Sequence, residues 1–216
     1  QVFEASKGNL IAIMEAESIT AIRTGAASGL ATDLLANKAA KVLAVFGTGV
    51  QARTQVEAVL AVRTIKKILV FSRTAEHADS FCSWISDVFG IVAEGGQLAL
   101  LNKADIICTA TPSEKSLFGH NDLKPGVHIN AVGSFQPYMR EVSTATVQIA
   151  KVVVDQKDAC EQEAGDLIIP ARDGHWSFEN LFGEFEGINF TDLLNYPDHG
   201  IGSLFGFRQY GPFNKQ

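Results

Sequence analysis

The sequence predicts an α/β protein: a doubly wound parallel sheet preceded by the remnant of a second domain. Three observations carry that expectation. Short apolar runs alternate with segments of helical spacing from Lys41 to Glu163. The runs are near-continuous, as in strands covered on both faces. The first run stops at a glycine turn that opens a helix, which suits a sheet of about six strands with a switch point between the first and fourth.

The elements follow in order. The chain opens "QVFEASKGNLIAIMEAESIT", without an initiator Met or a charged-then-apolar leader. It is expected to begin inside a larger unit, at a strand over "NLIAIM". Residues 18–37 read as an Ala-rich helix capped by Ser18 or Thr20, with Arg23 in its first turns. "KVLAVFG" (41–47) is the first strand of the sheet. Residues 51–62 place Val56, Val59 and Leu60, with Ala52, Ala58 and Ala61, at helical spacing. "KKILVFSR" is the second strand, and residues 75–88 carry Ala78, Phe81, Trp84, Ile85 and Val88 on a helix.

"GIVAEGG" then reads as a short strand and "QLALLNKA" as a short helix. "DIICTATP" and "GVHINAVGS" are two more buried strands. In "NAVGSFQPYMREV" (130–142) a small-residue turn leads to a polar helix start. A helix over "STATVQIA" precedes the strand "KVVVDQ". "KDACEQEAG" is helical with Glu161 and Glu163 on a solvated face, and "DLIIP" (166–170) is an extended exit. From about residue 180 the chain is rich in Phe, Gly and Asn without a sustained period, as in a loosely ordered tail.

Composition narrows the function classes. The 216 residues are 46% hydrophobic with a formal charge of −6. Lys and Arg are scattered, which argues against a nucleic-acid surface. No apolar run reaches membrane-spanning length. Cys82, Cys108 and Cys160 are far apart and odd in number, as expected of reduced, mostly buried thiols in a cytoplasmic protein. The five histidines share no metal spacing, and His128 reads as a satisfied core or edge residue.

"GTGVQA" supplies the chemistry: Gly47 permits the tight turn, Gly49 admits a pyrophosphate, and Ala52 allows close helix–strand packing. The amides at the helix start, from Val50 and Gln51, complete a phosphate cradle. The second strand ends "FSRT", where an Asp or Glu would meet a free ribose 2′-hydroxyl. Ser72, Arg73 and Thr74 stand there instead and suit a 2′-phosphate, because a guanidinium donates paired, charge-assisted bonds. NADP(H) is therefore favoured, with NAD(H) as the alternative. Thr109 and Thr111 end the fourth strand and line the crevice at the carboxyl ends of the strands. "NAVGS" ends the fifth, where a nicotinamide ring normally lies and Gly133 leaves it room.

Taken together, "ITAIRTGAASGLAT", "VFGTGVQA", "NAVGSFQPYMRE" and "VVVDQKDACEQEAGDL" resemble the ornithine cyclodeaminase/mu-crystallin family from about residue 8 to 170. The resemblance implies a Rossmann domain inserted into a substrate-binding and dimerising domain built from both chain ends. On that division, residues 1–38 are the substrate and dimerisation remnant, 39–165 the dinucleotide-binding domain, and 166–216 the return segment and tail. It further implies a homodimer when full length, acting on small amino or imino acids with a nicotinamide cofactor.

Arg23 matches the family arginine that grips the substrate carboxylate. Val50 and Gln51 match phosphate-loop contacts, Ser72 and Arg73 ribose-side contacts, and Thr109 and Thr111 strand-end contacts. Asn130, Ala131 and Val132 match residues beside the nicotinamide. Ornithine cyclodeaminases resemble "AVGGDCPGK" here, with an Asp as acid–base group, and Phe135 takes that place. The chain looks closer to the imine-reducing branch, whose motif resembles "GSFTPDMRE", although Tyr138 stands where an Asp is common. The family's upstream half, with a lysine and a further arginine for the same pocket, is expected to precede residue 1. The expected reaction is reduction of a cyclic ketimine such as pyrroline- or piperideine-2-carboxylate, the proton coming from that upstream lysine or from water. The alternatives are ornithine cyclodeamination, alanine dehydrogenation, and a catalytically inactive NADP(H)-binding protein.

Overall fold

In the computed structural model the structure is described for residues 1–184 and, as backbone, for residues 203–206. A small antiparallel hairpin opens the chain, β1 (Val2–Phe3) against β2 (Leu10–Ala12). Its turn places Gly8 at φ 71°, and the Gly8 amide donates to the Glu4 carbonyl at 2.8 Å. Helix α1 (Ala16–Leu35) follows.

The start of α1 differs from expectation. Its cap is Glu15, whose carboxylate accepts from the Glu17 and Ser18 amides at 2.6 and 2.7 Å. Those amides have no partner inside the helix, and an anion suits the positive end of the helix dipole. The carboxylate therefore starts the helix earlier than a Ser18 or Thr20 hydroxyl would.

The buried face of α1 is a stripe of small residues, including Gly25, Ser28, Gly29 and Ala31. It lies on α2 (Val50–Val62), which follows the glycine turn. A Cβ on Gly25 would fall 2.7 Å from the Thr54 carbonyl oxygen, and one on Gly29 would fall 3.2 Å from the Ala58 Cβ. The two backbones touch because these side chains are missing. The joint is locked by Arg63, just beyond α2. Its guanidinium donates to the carbonyls of Thr32, Asp33, Ala36 and Asn37 at 2.7–3.2 Å and pairs with the Asp33 carboxylate at 2.9 Å. It thus adds donors at the carbonyl end of α1, where the helix runs out of its own.

The main sheet has eight parallel strands among the described residues, in the order β5-β4-β3-β6-β7-β10-β8-β9. The six expected strands all form: β3 (Val42–Phe46), β4 (Lys67–Phe71), β5 (Val92–Gly95), β6 (Ile106–Thr109), β7 (His128–Ala131) and β8 (Lys151–Val154). The switch point falls between β3 and β6, the first and fourth of them.

Two strands were not expected, β9 (Gly183–Glu184) and β10 (Ser203–Gly206). The second lies in the stretch read as a loosely ordered tail, and it pairs with both β7 and β8. The four residues of β10, Ser-Leu-Phe-Gly, hold only two apolar side chains between a serine and a glycine, so pairing on both sides is what reveals the strand. The rest of that tail expectation, beyond residue 184, lies outside the described residues.

The strands alternate between two cores. Leu43, Val45, Ile68, Val70, Ile106 and Cys108 face α2 and α3 (Ala75–Phe89). Ala44, Phe46, Leu69, Ile107, Ile129 and Ala131 face the opposite layer. Burial on both faces explains why these strands read as continuous apolar runs.

The short helix expected over "QLALLNKA" forms as a 3-10 helix at residues 98–103, and two other expectations in the second half need correction. No helix starts within 136–142; α4 (Thr144–Ile149) begins beyond it, capped by the Ser143 hydroxyl. Residues 166–170 are not extended. After α5 (Lys157–Glu163) they form most of α6 (Gly165–Arg172), with Pro170 inside the helix. Pro170 removes one backbone bond, but the helix buries Leu167 and Pro170, and that packing overrides the local breaker.

Candidate functional site

The ends of four neighbouring strands are tied in a row. The Gly47 amide donates to the Phe71 carbonyl at 2.9 Å, the Ala110 amide to Phe46 at 2.9 Å, and the Val132 amide to Thr109 at 3.0 Å. This ladder sets Ser72, Gly47, Ala110 and Val132 side by side at the carboxyl edge of the sheet. Crevices at such edges are where doubly wound folds take ligands.

Gly47 has φ 103°, and a Cβ there would lie 2.5 Å from the Ala110 carbonyl oxygen. Both conformation and space demand glycine. Gly49 is different. It caps α2 with φ −82°, which any residue adopts, and nothing lies within 4 Å of where its Cβ would be. No contact within the described residues demands that glycine, and the space beside it is open. Val50 is 50% exposed and Gln51 half-buried at the start of the same helix.

At the end of β4, Ser72 is half-buried while Arg73 and Thr74 are exposed. The Thr74 hydroxyl accepts from the His77 amide at 3.4 Å and so caps α3. Arg73 therefore carries the charge at this edge.

The predicted residues after β6 and β7 behave otherwise than expected. Thr109 is fully buried, and its hydroxyl donates to Glu141 at 2.7 Å. Thr111 donates to Glu141 through both its amide and its hydroxyl, each at 2.7 Å. Asn130 is turned into the core; its amide group donates to the Thr32 hydroxyl at 2.9 Å and to Cys108 Sγ at 3.5 Å. It joins β7 to α1. Ala131 and Val132 are buried wall residues, Val132 packing with Ala31 and Val153.

Gly133 has a reason beyond the one first read. A Cβ there would lie 2.6 Å from the Glu141 carboxylate and closer still to the Thr111 carbonyl. Phe135 is half-buried on the loop that follows, and Tyr138 is 59% exposed.

Sequence reasoning left Glu141 and Asp166 without a role. Glu141 is 0% exposed and accepts four hydrogen bonds, the fourth from the Gly133 amide at 2.8 Å. Asp166 Oδ1 accepts from the Glu141 and Val142 amides at 2.7 and 2.8 Å. The Asp166 amide donates to the Ser134 hydroxyl at 3.0 Å, and that hydroxyl donates to the Met139 carbonyl at 2.9 Å. Burial, then the Asp166 charge, pushes Glu141 up to about 7. Burial likewise pushes Asp166 up to about 6. A charged residue in a non-periodic loop gave the sequence no sign of burial.

Arg23 is half-buried on α1, two residues before Gly25, where α1 crosses α2. His128 is enclosed, with Nε2 at 2.9 Å from Asn130 Oδ1, and burial lowers it to about 4. Cys108 and Cys160 are buried free thiols, and Cys82 is partly exposed. No group of three or more His, Cys, Asp or Glu among the described residues could hold a metal ion, and no described helix is long and apolar enough to cross a membrane.

Parallel strands in this order, with a glycine turn at the switch point, define the class: a doubly wound α/β protein of Rossmann type. Residues 1–182 match the sequence model of the Ornithine cyclodeaminase/mu-crystallin family, and the chain belongs to that family. A Delta(1)-pyrroline-2-carboxylate reductase of Bacillus cereus is 42% identical over 182 residues, covering 82% of this chain and 55% of that protein. The ketimine reductase mu-crystallin of Mus musculus is 33% identical over 172 residues, covering 80% of this chain and 54% of that one. Among solved structures, Thermococcus litoralis Delta(1)-pyrroline-2-carboxylate reductase in complex with NADH and L-proline superposes with TM-score 0.90 at 35% identity. It covers 95% of this chain and 64% of its own. The chain thus spans about half the length of the curated relatives it matches.

Proposed function

We propose that this chain is the dinucleotide-binding part of a nicotinamide-dependent reductase that converts a small cyclic ketimine carboxylate to the cyclic amino acid. One observation carries the choice within the family. The loop after β7 presents Phe135, an aromatic hydrocarbon, where a cyclodeaminase would need an acid–base carboxylate. Glu141 on the same loop is enclosed and saturated with donors, so it does not replace that group. The reductase names of the relatives point the same way.

The residues present fit the cofactor. Gly47 and Gly49, with the amides of Val50 and Gln51 at the start of α2, would hold the pyrophosphate. Ser72, Arg73 and Thr74 would meet the adenosine ribose, and the exposed guanidinium favours NADP(H) over NAD(H). Thr111, Ala131, Val132 and Gly133 would form the wall at the nicotinamide end. Thr109 and Asn130 would act behind that wall, their side chains being committed elsewhere. When bound, the cofactor supplies the reducing equivalent. Arg23 would hold the substrate carboxylate and orient the adjacent carbon.

Residues 1–38, 39–165 and 166–216 then divide into the substrate-side remnant, the cofactor domain and the return segment. Phe3, Ile11, Ile13 and Ile22 are 54–72% exposed on the hairpin and α1, which supports a second copy covering them in the whole protein. The decisive measurement is stoichiometric NADPH or NADH oxidation with pyrroline-2-carboxylate by the full-length protein. Ammonia release from ornithine with only catalytic NAD would sink the reading.

A further inference from the structure

We propose that Glu141 is a positioning residue, a buried carboxylate that clamps the loops after β6 and β7 and so sets the wall against which a nicotinamide would lie. The inference rests on the cofactor reading above and deepens it.

The geometry is specific to a carboxylate. Oε2 accepts from the Gly133 amide at 2.8 Å and the Thr109 hydroxyl at 2.7 Å. Oε1 accepts from the Thr111 amide and hydroxyl, both at 2.7 Å. Each oxygen therefore faces one main-chain N–H, which cannot reverse its polarity. A hydroxyl could turn round to meet a different neighbour; these amides cannot. Only a group that accepts at both oxygens serves both loops. Glutamine would turn an NH2 toward one of the two amides and leave a buried donor facing a donor.

Two further features show the clamp is built in. Gly133 lacks a side chain where a Cβ would strike this carboxylate at 2.6 Å. The main chain of 140–141 is stitched to the first loop, the Arg140 amide donating to the Ser113 carbonyl at 2.7 Å and the Leu117 amide to the Glu141 carbonyl at 2.8 Å. From beneath, Asp166 Oδ1 holds the Glu141 and Val142 amides. The hydrogen bonds of the Glu141 carboxylate reach neither the glycine turn nor the end of β4, although the Ala110–Thr111 backbone it holds packs beside Gly47. Its loss should therefore be felt far more at the nicotinamide end than at the adenosine end.

That asymmetry provides the test. In the full-length protein, Glu141→Gln is titrated with the tighter-binding of NADPH and NADH. It is titrated in parallel with the matching 2′-phospho-ADP-ribose or ADP-ribose, which lacks the nicotinamide. The dinucleotide Kd is expected to rise at least ~10-fold, as for a buried donor left unpaired, while the truncated ligand stays within about twofold. Thr109→Val, which removes a hydroxyl donor to Oε2 from behind the wall, should reproduce the selective loss and carries the test if Glu141→Gln does not fold. Equal weakening of both ligands, or of neither, overturns the role. So does failure of both variants to fold, which would mark the clamp as structural only. If the unaltered protein binds neither ligand, the cofactor reading itself falls, and the clamp with it.

Discussion

Arg73 stands exposed at the end of β4, beside the half-buried Ser72 and the capping Thr74. If it meets a 2′-phosphate, Arg73→Gln should raise the Kd of NADPH about tenfold or more and leave that of NADH nearly unchanged. Paired titrations of the two cofactors check this, and equal losses would remove Arg73 from the site. At the other end of β7, His128 is enclosed and lowered to about 4 by burial. Its neutral form is the one the fold accommodates, so its contribution is intact above the ordinary value of about 6.5 and is lost as pH falls toward 4. The full effect is on the order of 3 kcal/mol. Urea unfolding at pH 7.5 and 4.5 should show the acid loss shrinking in His128→Gln. The sequence marked His128 well enough, by its alternation with apolar neighbours. It could not mark which way Thr109 and Asn130 point, because a strand's residue types do not say what waits 32 or 98 residues away.

At the scale of elements, the α1–α2 crossing fixes the position of Arg23. Gly25 and Gly29 let the two backbones meet, and the Arg63 guanidinium holds the end of α1. Gly25→Val would push side-chain carbon into the Thr54 carbonyl, 2.7 Å from an ideal Cβ. It is expected to destabilise the chain by about 1–3 kcal/mol and to lower its urea midpoint. If Arg23 holds the substrate carboxylate as proposed, the change should also raise the full-length protein's KM for pyrroline-2-carboxylate more than its cofactor Kd, since α1 moves and the glycine turn does not. Unchanged stability would mean that the crossing has slack. The sequence showed α1 as an Ala-rich helix. Its glycines gave no hint of the partner, because close approach is a property of two helices and not of one. The helical α6 was missed for a related reason: Pro170 argued locally for extension, while the burial of Leu167 and Pro170 argued more strongly for a helix.

At the scale of the molecule, Glu141 and Asp166 bind the loop after β7 to the start of α6. Both carboxyls are raised, to about 7 and about 6, chiefly by burial. Asp166 can take a proton on Oδ2 while Oδ1 keeps both amides, so its stabilising contribution is full below the ordinary value of 3.8 and is lost as pH rises toward about 6, opposite in sign to His128. Asp166→Asn keeps an oxygen for the two amides and removes one charge. It should flatten the decline between about pH 4 and 6, as read from unfolding midpoints. An unaltered slope would show that Asp166 does not titrate there. The sequence alone determined the layered α/β architecture, six of the eight sheet strands, the glycine turn and the apolar Phe135, because periodicity, glycine and residue type are local signals. Tertiary structure alone decided the place of β10, the helical α6 and the carboxylate beneath the strand ends. Each depends on partners distant in sequence, and burial or pairing there outweighs what the local segment prefers.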